Sequence, residues 1–531
     1  MNKIIGFLIT KEKVKLHVDF FNVGLRLITL TYGNYYIYLW GIGDIENCKI
    51  SNKFSLSFPL HDSLFDRNVL IYFENGSIII ENDWLGSIPV FYNEKEQSIS
   101  TISNFCIKNK IIDKDGLAGF CEFGYSVFEH TIFEDIKFMR YYSKLIVSDN
   151  TIRVEYKDDP VFKNEFLHSV STTEEVLSKI HEYTNSIESR ISGEIIIPTS
   201  GGYDSRLLNY LVKDKSRIRS FTYGISANQS ESFEVVYAKK LSEILGTRWE
   251  MIELDEFYKY IDKWFEVYGI STHLHGMYHI EFYSKILERK ELSKPTLLSG
   301  IFGDVWSGNV NYPDITNPKD LVIAGYTHGL NLSLKYLKVD FSDELKNNFF
   351  INNREYLNSD KLKPLVTVRL KIILISYLTI IPEYFGIPTW TPFLNLEIVK
   401  AILSLPERER KNRMWQKNLY RKLGINIEEM NLKVRKDNQL DYVVAKKYIE
   451  KYKFEPLDLK LLKTFFDEER IIQINDTLNN ITLFTEVINK LMNIRKIGGV
   501  LRRIGVQNKF IRALYDYFVL KAIEKGLKYV S

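Results

Sequence analysis

The most specific chemistry in this chain is carried by six consecutive residues, Ser200-Gly201-Gly202-Tyr203-Asp204-Ser205. Glycines let backbone N–H groups come close to an anion, and serine hydroxyls add further donors. A helix starting here would turn its partially positive end toward the same point. Asp204 sets a carboxylate beside that cradle, the ligand type Mg²⁺ prefers. Together these groups suit a phosphate chain and its cation. The stretch lacks the Gly-Lys-Ser/Thr ending of a Walker A loop, and it is not the dinucleotide fingerprint. The plain alternative is a strand-to-helix turn with a serine cap.

Such a cradle has to stand between a strand and a helix. Residues 194–199 form a short apolar run suited to a buried strand, and 205–212 read as a leucine-rich helix. A strand over 220–223, a helix over 231–245 and a strand over 249–254 follow. Strands alternating with helices predict right-handed βαβ units and a parallel sheet. From about residue 321 the pattern is mainly helical.

The first half reads differently, with short β-rich runs at 26–32, 35–40, 69–73, 77–81, 90–92 and 99–102. Gly, Asn and Asp turns between them give the grammar of hairpins. Lys157-Asp158-Asp159-Pro160 closes this half, and Val176, Ile180, Tyr183 and Ile187 then open a helix at three- and four-residue spacing. A domain boundary near residue 160 follows.

At 531 residues the chain is long enough for two or three domains. With 45% hydrophobic and 26% charged residues and a formal net charge of +4, it has a globular composition. It lacks the concentrated positive charge of a nucleic-acid binder. Cys48, Cys106 and Cys121 have neither metal-ligand spacing nor the even count of a disulfide framework, which points to a reducing cytoplasm. Residues 1–10 carry one basic residue before a short apolar run and show no cleavage site, so a signal peptide is not expected. The apolar run 372–381 is too short for a membrane span and reads as a buried helix.

Ser-Gly-Gly-Xaa-Asp-Ser resembles the pyrophosphate-loop (PP-loop) signature of ATP pyrophosphatases, and its flanks resemble the asparagine synthetase family. Phe221-Thr222-Tyr223-Gly224 looks like that family's second βα unit, and Leu297-Leu298-Ser299-Gly300-Ile301-Phe302-Gly303-Asp304 its next strand and turn. Gly386 to Asn395 resembles the segment after the family's long helix, with Asn395 where aspartate is usual. The stretch around Arg435 and Lys436 resembles the one holding the catalytic lysine. In the first half, Asn82-Asp83-Trp84-Leu85-Gly86-Ser87-Ile88-Pro89 looks like a family hairpin.

The resemblance implies a mixed α/β and α+β protein in two parts. Residues 1–160 would be a β-rich, Ntn-amidotransferase-like domain, and 161–531 a parallel-sheet PP-loop synthetase domain with a helical C-terminal part. It implies ATP bound by Thr199, Ser200, Gly201, Gly202, Asp204, Ser205, Tyr223, Ser299 and Gly300. Mg²⁺ would be held by Asp204 and Asp304, and Lys436 would stabilise charge developing on the phosphates.

The family pattern breaks in two places. Glutamine-hydrolysing members expose a cysteine as the mature N-terminus, whose α-amine serves as base; the second residue here is Asn2, and the glutamine-pocket motifs are missing. Glutaminase activity is not expected, and the first domain is read as an inactive scaffold. In the synthetase half Ile301 replaces a glutamate and Val305 follows Asp304 where glutamate is usual. That argues against aspartate as substrate and turns the comparison toward β-lactam synthetases and lasso-peptide cyclases. Tyr377 and Glu383 are the candidates for the base in such a reaction.

The resulting expectation is an ATP-dependent, AMP-forming ligase that adenylates a small-molecule or peptide carboxylate for attack by an amine. Asparagine synthesis from free ammonia is one alternative, and an inactive nucleotide- or partner-binding relative is another. Neither nucleic acid nor membrane is an expected partner; a homo-oligomer or a biosynthetic partner protein is. His273, His275 and His279 read as a wall beside a substrate pocket ahead of a metal site. The basic, apolar tail 479–531 reads as helix packed on the synthetase half ahead of a partner or membrane surface.

Overall fold

The computed structural model describes residues 2–47, 52–56, 63–148, 151–309, 314–493 and 508–529; Cys48 lies outside them. The first half builds strands β1 (Lys3–Thr10), β2 (Arg26–Tyr32), β3 (Tyr35–Ile42), β4 (Lys53–Ser55), β5 (Val69–Glu74) and β6 (Ser77–Asn82). They are followed by β7 (Phe91–Asn93), β8 (Ser98–Ser100), β9 (Ile136–Phe138), β10 (Ser143–Ser148) and β11 (Thr151–Tyr156). One sheet has six strands in the order β2-β3-β1-β8-β7-β9, and the other five in the order β11-β10-β6-β5-β4. Neighbours pair antiparallel.

Strand alternation decides which core each side chain joins. Phe7, Ile9, Ile37 and Leu39 meet Ile71, Ile78, Ile80, Leu145 and Val147 in a core between the two sheets. The intervening Leu8, Tyr38 and Trp40 face the other way, into a core that continues through the second half of the chain. The two halves are further tied by Trp84, whose indole N–H donates to Leu394 O at 2.9 Å. Arg369 adds a fork to Asp159 at 2.5 and 3.2 Å.

The second half carries β12 (Ile195–Pro198), β13 (Ile218–Thr222), β14 (Arg248–Met251), β15 (Thr296–Leu298) and β16 (Thr389–Trp390). They form one sheet in the order β14-β13-β12-β15-β16, parallel throughout. From β12 the chain builds outward to β14, then returns to add β15 and β16 on the other side. Strand order therefore reverses at β12, and the crevice beyond the carboxyl ends of β12 and β15 is where such sheets take ligands.

The helices used below are α1 (Thr173–Glu188), α2 (Tyr203–Leu211), α3 (Phe233–Leu245), α4 (Tyr278–Leu287) and α5 (Lys363–Ile375). They continue with α6 (Tyr377–Tyr384), α7 (Leu396–Leu403), α8 (Met414–Lys422), α9 (Leu440–Lys451) and α10 (Lys509–Lys528). Val176, Ile180, Tyr183 and Ile187 form the buried face of α1, which Thr172 and Glu175 open with a capping box. Helix α3 starts two residues later than its sequence pattern, because extended Ser232 is drawn into a parallel bridge with Arg435.

Helices α5 and α6 make the single stretch among the described residues that is long and apolar enough to cross a bilayer; 78% of its most apolar window is buried inside the protein. Helix α10 is likewise a core element. Its buried charges Asp516 and Lys521 are paired within the protein, Asp516 with Arg470 and Arg512 and Lys521 with Glu524. Residues 494–507 of the basic tail lie outside the described residues.

Candidate nucleotide site

Between β12 and α2 the chain folds back on itself. Thr199 Oγ1 accepts from Asn209 Nδ2 at 2.9 Å and donates to Ile197 O at 2.9 Å. Ser200 N–H donates to Ser205 Oγ at 3.2 Å, and Gly202 N–H to Ser200 Oγ at 3.1 Å. Helix α2 begins at Gly202 with no side-chain cap, so the serine-capped turn is not what forms. Its open first turn faces the crevice, as an anion-binding helix start requires. From below, Arg206 fastens the loop by donating to Gly201 O at 3.1 Å while its fork grips Glu428 at 2.7 and 2.9 Å.

The loop after β15 closes on this one from the opposite side. A β-carbon on Gly300 would lie 2.8 Å from Ser205 N, and one on Gly303 would lie 2.6 Å from Asp204 Cγ. At such approaches any side chain would force the facing group to shift, which favours glycine. They bring Asp204 and Asp304 to the same cavity of about 450 Å³. Thr199, Ser200, Gly202, Ser205, Tyr223, Ser299 and Gly300 also line it. Gly201 sits just beneath, with the Phe233 ring filling the place a side chain would take.

Asp204 is 6% exposed. Burial lifts its carboxyl to about 6 and the charge of Asp304 adds to the rise, against Arg413 and a hydrogen bond from Gln416. Gln416 Nε2 donates to Oδ1 at 3.0 Å, and Arg413 Nη1 stands 3.7 Å from Oδ2. Two acidic groups facing one cavity, one of them buried and reluctant to ionise, fit a divalent cation: a bound Mg²⁺ would offset the penalty for charging Asp204. Among the described residues no group of three or more His, Cys, Asp or Glu side chains could hold a metal, so phosphate or water oxygens would have to complete the shell.

Arg413 and Gln416 are absent from the sequence-derived set. Asn412 and Arg413 adopt φ of 53° and 57°, a costly pair of left-handed turns for residues with side chains. The turn at the start of α8 brings Arg413 to the wall of the cavity. No spacing in the sequence announces it. Ile301 lines the same cavity, half-buried. Asn395 replaces aspartate without losing the helix cap, since its Oδ1 accepts from Glu397 N and Ile398 N at 3.1 and 3.2 Å.

The three residues expected to act in catalysis are separated. Tyr377 lines a second cavity, of about 330 Å³, which shares Tyr223 and Ile225 with the first. Lys436 is exposed and outside the lining of both cavities. It lies on a strap tied to the start of α3 through Arg435, whose N–H donates to Glu231 O at 2.8 Å and whose O accepts from Phe233 N at 3.0 Å. Glu383 turns toward the first half of the chain, where Lys3 and the Arg67 fork close on its carboxylate, the latter at 2.9 and 3.1 Å. Its neighbours make it part of the packing between the halves, because a carboxylate held by two cations is a poor base.

Among the histidines, His279 lines the first cavity, and His273 and His275 the second. Cys106 and Cys121 are buried. Burial pushes the Cys106 thiol up to about 12 and that of Cys121 higher still, the opposite of an activated nucleophile. Asn2 Oδ1 accepts from Asp44 N–H at 3.0 Å.

No family model matches the chain, and no curated protein matches it. One similar solved structure is the NH3-dependent NAD synthetase from Campylobacter jejuni subsp. jejuni NCTC 11168 in complex with nitrate. It is 14% identical over 36% of this chain and 80% of that one, with a TM-score of 0.20. Another is the glutamine-dependent NAD+ synthetase from Acinetobacter baumannii in complex with ADP, 12% identical over 63% of this chain and 58% of that one, with a TM-score of 0.21. Likeness at this level adds nothing to the geometry.

Proposed function

We propose that the chain is an ATP-dependent, amide-forming ligase of the PP-loop type. It would join a carboxylate to the α-phosphate of ATP, release pyrophosphate, and let an amine displace AMP. The observation that carries this reading is the closure of the β12 and β15 loops on each other, glycine against carboxylate, at the point where strand order reverses. A buried carboxylate lifted toward neutrality beside a second acid, both facing one cavity, supports a functional site there.

In this reading the loop N–H groups and the hydroxyls of Ser200 and Ser205 hold the β- and γ-phosphates as they depart. Arg413 meets the charge that grows on the leaving pyrophosphate. Asp204 and Asp304 would hold Mg²⁺, which supplies charge neutralisation when bound. Tyr223, at the end of β13, walls the side toward the second cavity. Lys436 would reach the phosphates only by movement of its strap.

Ile301 disfavours aspartate, because a second carboxylate would meet an alkyl wall without a partner. A larger or less polar acyl donor suits the pocket better, and the β-rich half serves as scaffold, in a cytoplasm that keeps Cys106 and Cys121 reduced. The test is pyrophosphate release from MgATP across a panel of amino acids, β-amino acids and short peptides. Release should depend on a carboxylate from the panel and vanish in Asp204→Ala and Asp304→Ala. Equal release by wild type and both variants would remove the site from the reaction.

A further inference from the structure

The second cavity contains a paired acid and imidazole that do not line the nucleotide cavity. His275 Nε2 meets Asp441 Oδ1 at 2.8 Å, and Asp441 Oδ2 accepts from Tyr515 O–H at 2.9 Å. Asp441 sits in the first turn of α9, where the helix favours a negative charge. Burial works against its ionisation, yet His275, Tyr515 and Tyr258 together hold its carboxyl below the usual range. With Nε2 facing the carboxylate of Asp441, the neutral imidazole of His275 carries its proton on that nitrogen and its electron pair on Nδ1. Both oxygens of Asp441, the one acid lining this cavity among the described residues, are engaged.

The surroundings make that electron pair useful. His273 Nδ1 accepts the backbone N–H of His275 at 3.1 Å. Burial holds both His273 and His279 near 3, so each stays neutral. His328 is lowered by burial and then by Lys371 and His275. Lys371 faces the same cavity and donates to Tyr326 O at 2.7 Å. Its charge opposes a second cation, so an amine entering here is favoured in its neutral, nucleophilic form. Tyr223 and Ile225 line both this space and the nucleotide cavity, and the rings of Tyr278, His279 and Tyr377 meet at tilted angles beside them.

We propose that the second cavity receives the primary amine and that His275, oriented by Asp441, is the base for amide formation, a role that rests on the adenylation reading above. The neutral amine nitrogen attacks the acyl carbon of the adenylate and a C–N bond forms. The bond from that carbon to the phosphate oxygen breaks, and AMP leaves with the electron pair. The nitrogen gives one proton to Nδ1 of His275, Asp441 balances the imidazolium, and the proton passes on to solvent.

The experiment separates the two steps in the full chain and in His275→Asn, His275→Gln and Asp441→Asn. The carboxylates are those of the panel, and alkylamines and amino-acid amides are offered as acceptors. Exchange of labelled pyrophosphate into ATP reports adenylation alone. Amide formation reports the second step, and hydroxylamine, unprotonated at neutral pH, traps the adenylate without a protein base. The variants should keep exchange and hydroxamate formation within about threefold while amide formation falls about 100-fold or more at neutral pH, the range of general-base catalysis. Raising the pH should restore part of it. Amide formation at the wild-type rate and pH profile overturns the assignment and leaves adenylation standing. Loss of exchange together with amide formation makes the pair structural and also overturns it. Absence of exchange by wild type with every carboxylate overturns the adenylation reading, and the base assignment falls with it.

Discussion

Gly303 has no side chain at the point where a β-carbon would stand 2.6 Å from Cγ of Asp204. The contact couples the two loops, so a change on the second is felt by the carboxylate on the first. Gly303→Ala should displace Asp204 at a stability cost of about 1–3 kcal/mol, the usual range for overpacking. Carboxylate-dependent pyrophosphate release should fall by about two orders of magnitude. Chemical denaturation and a turnover assay check both halves; full turnover in this variant would mean that the loop contact does not position Asp204.

Asp204 gives a pH dependence whose sign is fixed. Its carboxyl stands at about 6 in the folded protein against 3.8 unfolded. Its contribution is therefore fully present below about pH 4 and is lost as pH rises through 6, a change of about 3 kcal/mol at 1.36 kcal/mol per unit. Asp204→Asn, which stays neutral, should match wild type near pH 4 and exceed it at pH 7 when MgATP is absent. Denaturation curves at the two pH values measure the difference. A variant less stable than wild type at pH 7 would show that Arg413 and Gln416 outweigh burial.

Glu383 should matter to stability and not to chemistry. Glu383→Ala leaves Lys3 and Arg67 buried without their carboxylate, a loss of about 3–5 kcal/mol for a broken buried pair. The surviving folded fraction should bind MgATP with wild-type affinity in a fluorescent-nucleotide titration. Unchanged stability with abolished turnover would return Glu383 to the role of base.

Ile301→Glu tests the pocket wall. The added carboxylate, in a half-buried position of the nucleotide cavity, should weaken the preferred acyl donor by about 10-fold or more in kcat/KM, because an apolar contact is exchanged for an unpaired charge. Steady-state kinetics with the best panel substrate measure it. Equal or improved kinetics would place the acyl group elsewhere, along the wall that carries Tyr377.

The parts of the fold that repeat a local rule were legible in the sequence. β-Rich runs bounded by Gly, Asn and Asp turns located β2, β3, β5 and β6 to within two residues, and three- and four-residue spacing located the buried face of α1. The strand-to-helix loop at Ser200 was legible because its glycines and serines stand between an apolar run and a leucine-rich helix. What remained hidden depends on long-range geometry. Arg413 reaches Asp204 through a backbone turn more than 200 residues away in sequence. Likewise, nothing near Glu383 signals that Lys3 and Arg67 will enclose it, or near His275 that Asp441 lies beside it. The internal pairing of Asp516 and Lys521 shows how charge in a helix can report neither exposure nor a partner surface.

The most direct test of the central claim is the identity of the nucleotide product. ATP labelled in the α-phosphate is incubated with the full chain, Mg²⁺, the carboxylate panel and hydroxylamine, and the products are separated. Label should appear in AMP, formed in equal amount with hydroxamate and only when a carboxylate is present, and none of it in Asp304→Ala. Label recovered in ADP would contradict the central claim, because cleavage would then fall between the β- and γ-phosphates and no adenylate would have formed.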